Sequence, residues 1–572
     1  MKKKKLHLLG ADSAIFSERV GRLRFGARGD EEESGNRHKI FAFLIFAIVL
    51  IFLLRLFYLQ VVTGAKNRTL AENNRIRLIG IVAPRGKILD RNGQVIGQSN
   101  VTYWLKKGDE KKEITLAQKN DLEAQGLASE DFSGSLGQIY EEVGRSYPLG
   151  EDASHVLGYT SLAQKADLNK SQQLTSQDLV GRAGIEETYE DFLKGTDGQK
   201  LIEVDATGGR VSIISKVASK QGENIRLTID AKLQKVAYEA LKKGAEKVSS
   251  NRGAIIVSNP GTGEVLALAS LPSFDPNNVG GATNDPNKPL FNRALLGNYP
   301  PGSIFKIVTA LAGLESGKIN RDTEIEDVGE FEFSGVRFSN WYYTAYGGKD
   351  GVVKLDRAIA RSNDIYFYRV GQTIGLDPIR QMALALGFGA KTGIDMPSED
   401  FGLVPDGVWK QSTQSQPWYP GDTMHMAIGQ GFMLVTPMQI SNLINFMASG
   451  KLIKPYLVSQ IDGPKTSKIN PKVIGKNLVS DANFNLVREG MRQVCATGGT
   501  GWPFFMVKNY TLGCKTGTAE KTEGNPHAWF GAFAPFDNPQ ISVTVLVEDG
   551  GEGSTVAGPV AKEVLDWWFG QK

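Results

Sequence analysis

The chain has little of what metal, redox or nucleic-acid chemistry requires. Its 572 residues include only two cysteines, Cys495 and Cys514, and five scattered histidines, His7, His38, His155, His425 and His527. None of their spacings resembles a zinc site, so neither a metal nor another cofactor is expected. The two cysteines fit a disulfide in an oxidising compartment or a pair of buried free thiols, and the sequence leaves both open. Charge of neither sign is in excess, since 66 Lys and Arg stand against 62 Asp and Glu for a net +4. That balance gives no reason to expect a nucleic-acid partner. No internal repeat is visible, and no G-x-S-x-G elbow occurs, which argues against an α/β-hydrolase. Glycine is in surplus instead, 65 residues or about 11% against a usual ~7%, and many turns follow from it.

The length points to three or four folded units. Residues 1–39 are polar and basic, with Lys2 to Lys5, Arg19, Arg22, Arg24, Arg28, Arg37 and Lys39 outnumbering the acids at Asp30 to Glu33. From Ile40 to Leu54 every residue is apolar, and after Arg55 the run resumes through Val62. A helix of about 23 residues at ~1.5 Å each reaches ~34 Å, enough for a ~30 Å hydrocarbon core. The run is longer than a signal-peptide core and no small-x-small site follows it directly, so it reads as an uncleaved anchor at 40–62. The basic tail then stays in the cytoplasm and the chain beyond Thr63 lies outside. Arg55 reads as an interfacial residue that snorkels, with contact to another membrane protein as the alternative.

Residues 63–223 form a second unit. Asn74 to Ser99 alternates strand-like segments around a tight Asn92-Gly93 hairpin turn. From about 100 to 225, polar helical stretches mix with glycine-rich joints, and no nucleophile, base and orienter can be assembled there, so the unit reads as a spacer. The third unit, 224–572, opens with the strand IRLTID, a helical stretch and two apolar strands joined by a Pro-Gly-Thr-Gly turn. It closes with the strands TLGCKTGTAE, HAWFGAFAPF and ISVTVLVEDG and a final helix. Strands at both ends and helices between them predict an α+β unit, one antiparallel sheet completed by the two termini around a helical insert.

The segment NYPPGSIFKIVTA (Asn298 to Ala310) places Ser303 and Lys306 three residues apart where a helix should start, after two prolines and a glycine. That spacing puts hydroxyl and amine on one helix face, and a desolvated lysine can take the proton that makes serine a nucleophile. By itself the pattern decides nothing, because a chain this long should hold about two S-x-x-K matches by chance. Two further segments follow in order: Ser362-Asn363-Asp364, and Lys515-Thr516-Gly517 followed by Thr518. S-x-x-K, S-D-N and K-T-G are the joint set of penicillin-recognising acyl-serine enzymes. A second Lys-Thr-Gly, Lys391 to Gly393, lies in FGAKTGIDMP without strand-like partners and reads as a turn, so the role goes to Lys515.

On these residues the chain resembles a class B penicillin-binding protein, a monofunctional peptidoglycan D,D-transpeptidase. The resemblance extends to PRGKILDRNG, YPLGEDASHVLGYT, GRAGIEETYE and PWYPGDTMHMAIGQGFMLVTPMQ, and covers nearly everything after Ile40. NRIRLIGIVAPRGKILDRNG, NYPPGSIFK and WYPGDT look more like the elongation type, penicillin-binding protein 2, than the division type. The resemblance implies an anchored pedestal of the dimerisation type carrying a β-lactamase-like transpeptidase unit, in the inner membrane of a bacterium. It also implies roles. Ser303 attacks the carbonyl between the last two D-alanines of a peptidoglycan stem peptide, Lys306 takes its proton, and Ser362 relays protons to the leaving amine. Lys515, Thr516 and Thr518 receive the terminal carboxylate. The N–H groups of Ser303 and Thr518 form the oxyanion hole, and side-chain-free Gly517 lets the strand edge approach the substrate. β-Lactams should acylate the same serine.

The middle motif departs from the family's usual pattern, which ends in Asn. Here it ends in Asp364, as in some elongation-type members, and a carboxylate cannot donate the hydrogen bond that Asn can. Pairing with Lys306 is the role expected of it. No glycosyltransferase-sized domain precedes the catalytic unit, so the resemblance implies a membrane glycosyltransferase partner of the shape, elongation and division family. Two rival readings remain at this level, a β-lactamase or D,D-carboxypeptidase that passes the acyl group to water, and an anchored, catalytically silent scaffold or sensor.

Overall fold

The structure is a computed structural model that describes residues 34–130, 134–170, 174–204, 210–463, 466–501, 506–507 and 509–571. Most of the basic tail, residues 1–33, lies outside the described residues. The chain divides into two compact units, Met1–Arg77 and Leu78–Lys572.

In the first unit the apolar run forms α1 (Ser34–Phe57), continued by a π-helical turn over Tyr58–Val62. The stretch His38–Val62 is long and apolar enough to cross a membrane. The Tyr58 carbonyl accepts the Thr63 N–H at 2.8 Å, the i→i+5 bond of the wider turn, and the Thr63 hydroxyl at 3.1 Å, while the Leu59 carbonyl accepts the Asn67 amide at 3.1 Å.

The second unit contains two principal sheets. The first has eight strands and includes β1 (Ile88–Leu89), β2 (Val95–Lys107) and β3 (Gly137–Ser146). β1 and β2 are the two arms of the Asn92-Gly93 hairpin, with Leu89 opposite Val95. Gly93 adopts φ +89° there, a conformation that glycine enters without strain. The pedestal is therefore more strand than the polar helical stretches of its sequence predict. Its long strands have polar residues on both faces, so the period-2 signal is weak. Buried ion pairs tie its segments together. Arg85 of PRGKILDRNG meets Glu186 of GRAGIEETYE at 2.8 Å and Glu190 at 2.7 Å, and Arg145 reaches Glu186 at 2.6 Å.

The strand of IRLTID, β4 (Asn224–Leu227), departs from expectation. It does not join the catalytic sheet but lies in the first sheet, parallel to β1 and antiparallel to a later strand, Val458–Asp462. A short apolar run signals a strand but not its partner. Next come α2 (Ala231–Glu246), capped by Asp230, and the strands β5 (Gly253–Ser258) and β6 (Val265–Leu271).

The helical insert supplies α3 (Lys306–Glu315), α4 (Trp341–Tyr346), α5 (Asp364–Ile374) and α6 (Pro437–Ser449). After α7 (Asp481–Val494) the chain returns as β7 (Gly513–Ala519), β8 (His527–Ala534) and β9 (Ile541–Val547), then α8 (Ala557–Gly570). The sheet order is β6-β5-β9-β8-β7, antiparallel throughout, with the Lys515 strand at an edge. Strands from both ends of the unit meet at the β5-β9 pair, as the sequence predicts.

Helices cover both faces of this sheet, and adjacent residues of β8 show how. A Cβ on Gly531 would meet Ile444 of α6 at 2.6 Å, while Phe530, its neighbour on the opposite face, lies 3.6 Å from where a Cβ on Gly558 of α8 would stand. Trp529, Phe530 and Phe533 are fully buried in this layered core.

Candidate active site

Ser303 sits in a single 3-10 turn, Gly302–Phe305, that leads into α3, so the helix begins with a tighter turn than its sequence predicts. Ser303 and Lys306, three residues apart across the junction of turn and helix, share one face. Gly302 makes the approach to the edge strand possible. Its φ is +53°, and a Cβ there would stand 2.7 Å from the Thr518 carbonyl oxygen. Turn and strand therefore touch backbone to backbone beside Ser303 and Thr518. The Gln430 amide donates to that same carbonyl at 3.4 Å. Ser303 is partly exposed, and its hydroxyl makes no hydrogen bond among the described residues.

Lys306 is fully buried. Its ammonium donates to Asp364 Oδ1 at 2.6 Å, to the Ser362 carbonyl at 2.6 Å and to Ser362 Oγ at 3.4 Å. Lys515, also fully buried, reaches the same Ser362 Oγ at 2.9 Å and the Thr516 carbonyl at 2.9 Å. One hydroxyl thus stands between two amines. Ser362 holds it there at φ +54°, a left-handed conformation that costs a non-glycine residue about 1–3 kcal/mol. Asn363 caps α5 by accepting from the Tyr366 N–H at 2.9 Å.

Both lysines hold protons less tightly than usual. Burial lowers Lys306, and the Asp364 charge opposes that shift. Burial pushes Lys515 well below the ordinary lysine range, with the Lys306 charge acting in the same direction. A neutral Lys306 amine is a base, and a cluster of two amines around one carboxylate carries an unbalanced positive charge when both are protonated.

The remaining residues lie along β7. The Thr516 hydroxyl is 2.8 Å from that of Thr500, and Thr518 Oγ1 accepts from the Gly553 N–H at 3.5 Å. Gly517 also answers to packing: a Cβ there would stand 2.9 Å from Trp529 Cβ and 3.1 Å from Ile304 Cγ1. Its missing side chain is what lets the Ser303 turn seat against the strand. Cys495, just after α7, and Cys514 are disulfide-bonded with a Cα separation of 6.0 Å, which fastens β7 immediately before Lys515.

The second Lys-Thr-Gly is not part of this site. It lies in a loop, with Lys391 exposed, and the Glu399 carboxylate accepts from the Thr392 N–H at 2.8 Å and the Gly393 N–H at 2.9 Å. Three residues that sequence reasoning missed stand next to the motif. The Trp341 N–H donates to Asp364 Oδ2 at 2.8 Å, and the Asp364 N–H donates to Asn340 Oδ1 at 3.1 Å. Glu520, just after β7, has its carboxyl raised by burial and then by the Asp364 charge. Nothing in their spacing marks Asn340 and Trp341. Among the described residues no group of three or more His, Cys, Asp or Glu is placed to hold a metal ion.

Comparison with known proteins gives this geometry its relatives. Residues 253–566 match the family described as penicillin binding protein transpeptidase domain, and residues 109–227 match the penicillin-binding protein dimerisation domain. The peptidoglycan D,D-transpeptidase MrdA of Haemophilus influenzae is 30% identical, over 94% of this chain and 92% of its own length. A chain solved in a study of how a peptidoglycan synthase complex coordinates polymerization and crosslinking superposes with a TM-score of 0.77, at 30% identity, over 94% of this chain and 99% of that one. The Pseudomonas aeruginosa PBP2 solved with WCK 5153 gives 0.68 at 32% identity, over 86% and 96%.

Proposed function

The chain belongs to the elongation-type class B penicillin-binding proteins and is a peptidoglycan D,D-transpeptidase, and from that premise we propose that the cluster around Ser303 carries the reaction. The observation that supports this most directly is the single Ser362 hydroxyl shared by buried Lys306, one turn from Ser303, and buried Lys515 of the edge strand. Ser303 Oγ attacks the carbonyl between the two terminal D-alanines while neutral Lys306 takes its proton. The oxyanion that forms is held by the N–H groups of Ser303 and Thr518, a reading supported by the close approach of Gly302 to the Thr518 carbonyl. The tetrahedral species collapses as Ser362 passes a proton to the leaving nitrogen, so D-alanine departs and an ester remains on Ser303. A neighbouring stem's amine then attacks the ester, gives up its proton to the same relay, and leaves as the cross-linked amide. The donor's terminal carboxylate offsets the positive charge of Lys515, with Thr516 and Thr518 as its hydroxyl partners.

Penicillin opens its ring by the first half of this route, so mass spectrometry of the penicillin-treated full-length protein should find the adduct on Ser303 and none on Ser303→Ala. An adduct on another residue refutes the assignment. A long-lived adduct separates the transpeptidase from a β-lactamase, which would release it within seconds.

The same proposal places the unit boundaries near 63 and 224, the basic tail in the cytoplasm and the catalytic unit outside. Protease added to spheroplasts should then remove the catalytic unit and spare the anchor; protection of the whole chain would reverse the orientation. The partner we assign is a membrane glycosyltransferase of the shape, elongation and division family, supported by the resemblance to the chain solved in a polymerizing and cross-linking complex. Co-purification of the full-length protein with such a polymerase tests it, and loss of that co-purification should follow exchange of residues 40–62 for an unrelated span.

A further inference from the structure

Asp364 keeps Lys306 company only while its carboxylate points one way. Oδ1 takes the Lys306 ammonium and Oδ2 takes the Trp341 N–H. A rotation of the carboxylate or a shift of Trp341 would move the negative charge off the amine. Two buried side chains outside the three motifs hold both ends of this arrangement.

Asn340, fully buried, lies directly before Trp341 and accepts the Asp364 N–H on its Oδ1. Its amide nitrogen donates to Asp327 Oδ2 at 2.7 Å. Asp327 is itself buried, and its two oxygens collect four donors: the amides of Asn340 and Asn363, at 2.7 and 2.9 Å, and the N–H groups of Gly329 and Asp350, at 2.8 and 2.9 Å. Asn363 and Asn340 flank Asp364 from its own chain and from the facing segment, so a single carboxylate ties down both sides. No residue of α4 is buried, and the Trp341 side chain is held by its indole N–H, which donates to the Arg361 carbonyl at 2.9 Å. A buried acceptor with four donors is fully satisfied and resists movement, because each bond broken costs about 1–3 kcal/mol when no water replaces it.

We propose that Asp327 and Asn340 are positioning residues for acylation, holding the Asp364 carboxylate in the orientation that faces Lys306. This rests on Lys306 being the base. Other ionisable groups near the pair are Lys515 from the edge strand and Glu520 just after it, Tyr368 from α5, and Arg361, which is paired with Asp350 at 3.0 Å. None of these sits between Asp364 and Lys306. Loosening Asp364 therefore removes the anionic partner that supports the protonated amine against burial, and the base limb of acylation moves to lower pH.

The test is the rate of acylation of the full-length, detergent-solubilised protein by a fluorescent penicillin as a function of pH, with the thermal midpoint measured alongside. Asp327→Asn and Asn340→Ala should each lower the high-pH plateau of acylation by about tenfold, because a weaker base takes the serine proton less readily, and move the limb in the same direction as Asp364→Asn. In an Asp364→Asn background, adding Asp327→Asn should change the rate less than about threefold and leave the limb in place, since the contact it serves is already gone. A limb that stays at the wild-type pH in the folded single variants overturns the proposal, as does full additivity with Asp364→Asn. Failure of both single variants to fold also overturns it, since the bonds would then serve stability alone. Absence of any adduct on wild-type Ser303 is a different result and strikes the assignment of the site itself.

Discussion

The chain contains Lys-Thr-Gly twice, and the two copies share nothing beyond their letters. At Lys515 the triplet is an edge strand, its lysine is fully buried, and the amine sits 2.9 Å from Ser362. At Lys391 it is a loop, its lysine faces solvent, and the structural work is done by its backbone, which donates to the buried carboxylate of Glu399. Gly517 is small because a strand must pack on a turn. Gly393 is glycine because its φ is +79°. A short motif thus carries chemistry only when its surroundings desolvate the charge and supply its partners.

The largest expected effect comes from the lysines themselves. Lys515→Ala should slow acylation by penicillin ~10²–10³-fold, the scale of a lost preorganised charge in a dry site, whereas Lys391→Ala should leave it within about twofold. A comparable loss in both variants, measured as second-order acylation rates, would break the comparison. Ranking next is the bridge that only the strand copy adjoins. Cys495 and Cys514 close a loop of 19 residues, and reduction or Cys514→Ser should cost about 3 kcal/mol in urea unfolding, with acylation falling as β7 loosens. An unchanged denaturation midpoint would show that the strand does not need the bridge.

Asp364→Asn sharpens the same contrast through pH. Burial lowers the proton affinity of Lys306 and Asp364 raises it, so removing the carboxylate charge lowers it further. The base limb of acylation should then shift to lower pH, and a limb that stays put would separate Asp364 from the base. The smallest effect belongs to the loop copy. Glu399→Ala leaves the Thr392 and Gly393 donors without their acceptor and should cost about 1–3 kcal/mol of stability without changing the acylation rate of the folded protein. Differential scanning calorimetry and a penicillin titration together would show whether stability and activity separate in this way.

Much of this was legible in the sequence, for identifiable reasons. Ser303 and Lys306 lie three residues apart, so local helical geometry alone sets them together. The apolar run of α1, the Asn92-Gly93 turn and the five strands of the catalytic sheet each announce themselves through periodicity or turn chemistry over a few residues. The strand Asn224–Leu227 shows the limit. Its apolar pattern made it a strand, but its partners Ile88–Leu89 and Val458–Asp462 lie more than a hundred residues away on either side, and no local signal names them.

What the sequence determined by itself was therefore the set of reacting groups and their order along the chain, because motif spacing and residue type are local properties. Tertiary structure alone decided that Cys495 meets Cys514 and that Asn340 and Asp327 stand behind Asp364, and it supplied the burial of Lys515 and the contact of Asp364 with Lys306 that the sequence could only lead one to expect. Burial, charge pairing and hydrogen-bond partners depend on segments brought together from 13 to 153 residues apart, and those distances exist only once the chain has folded.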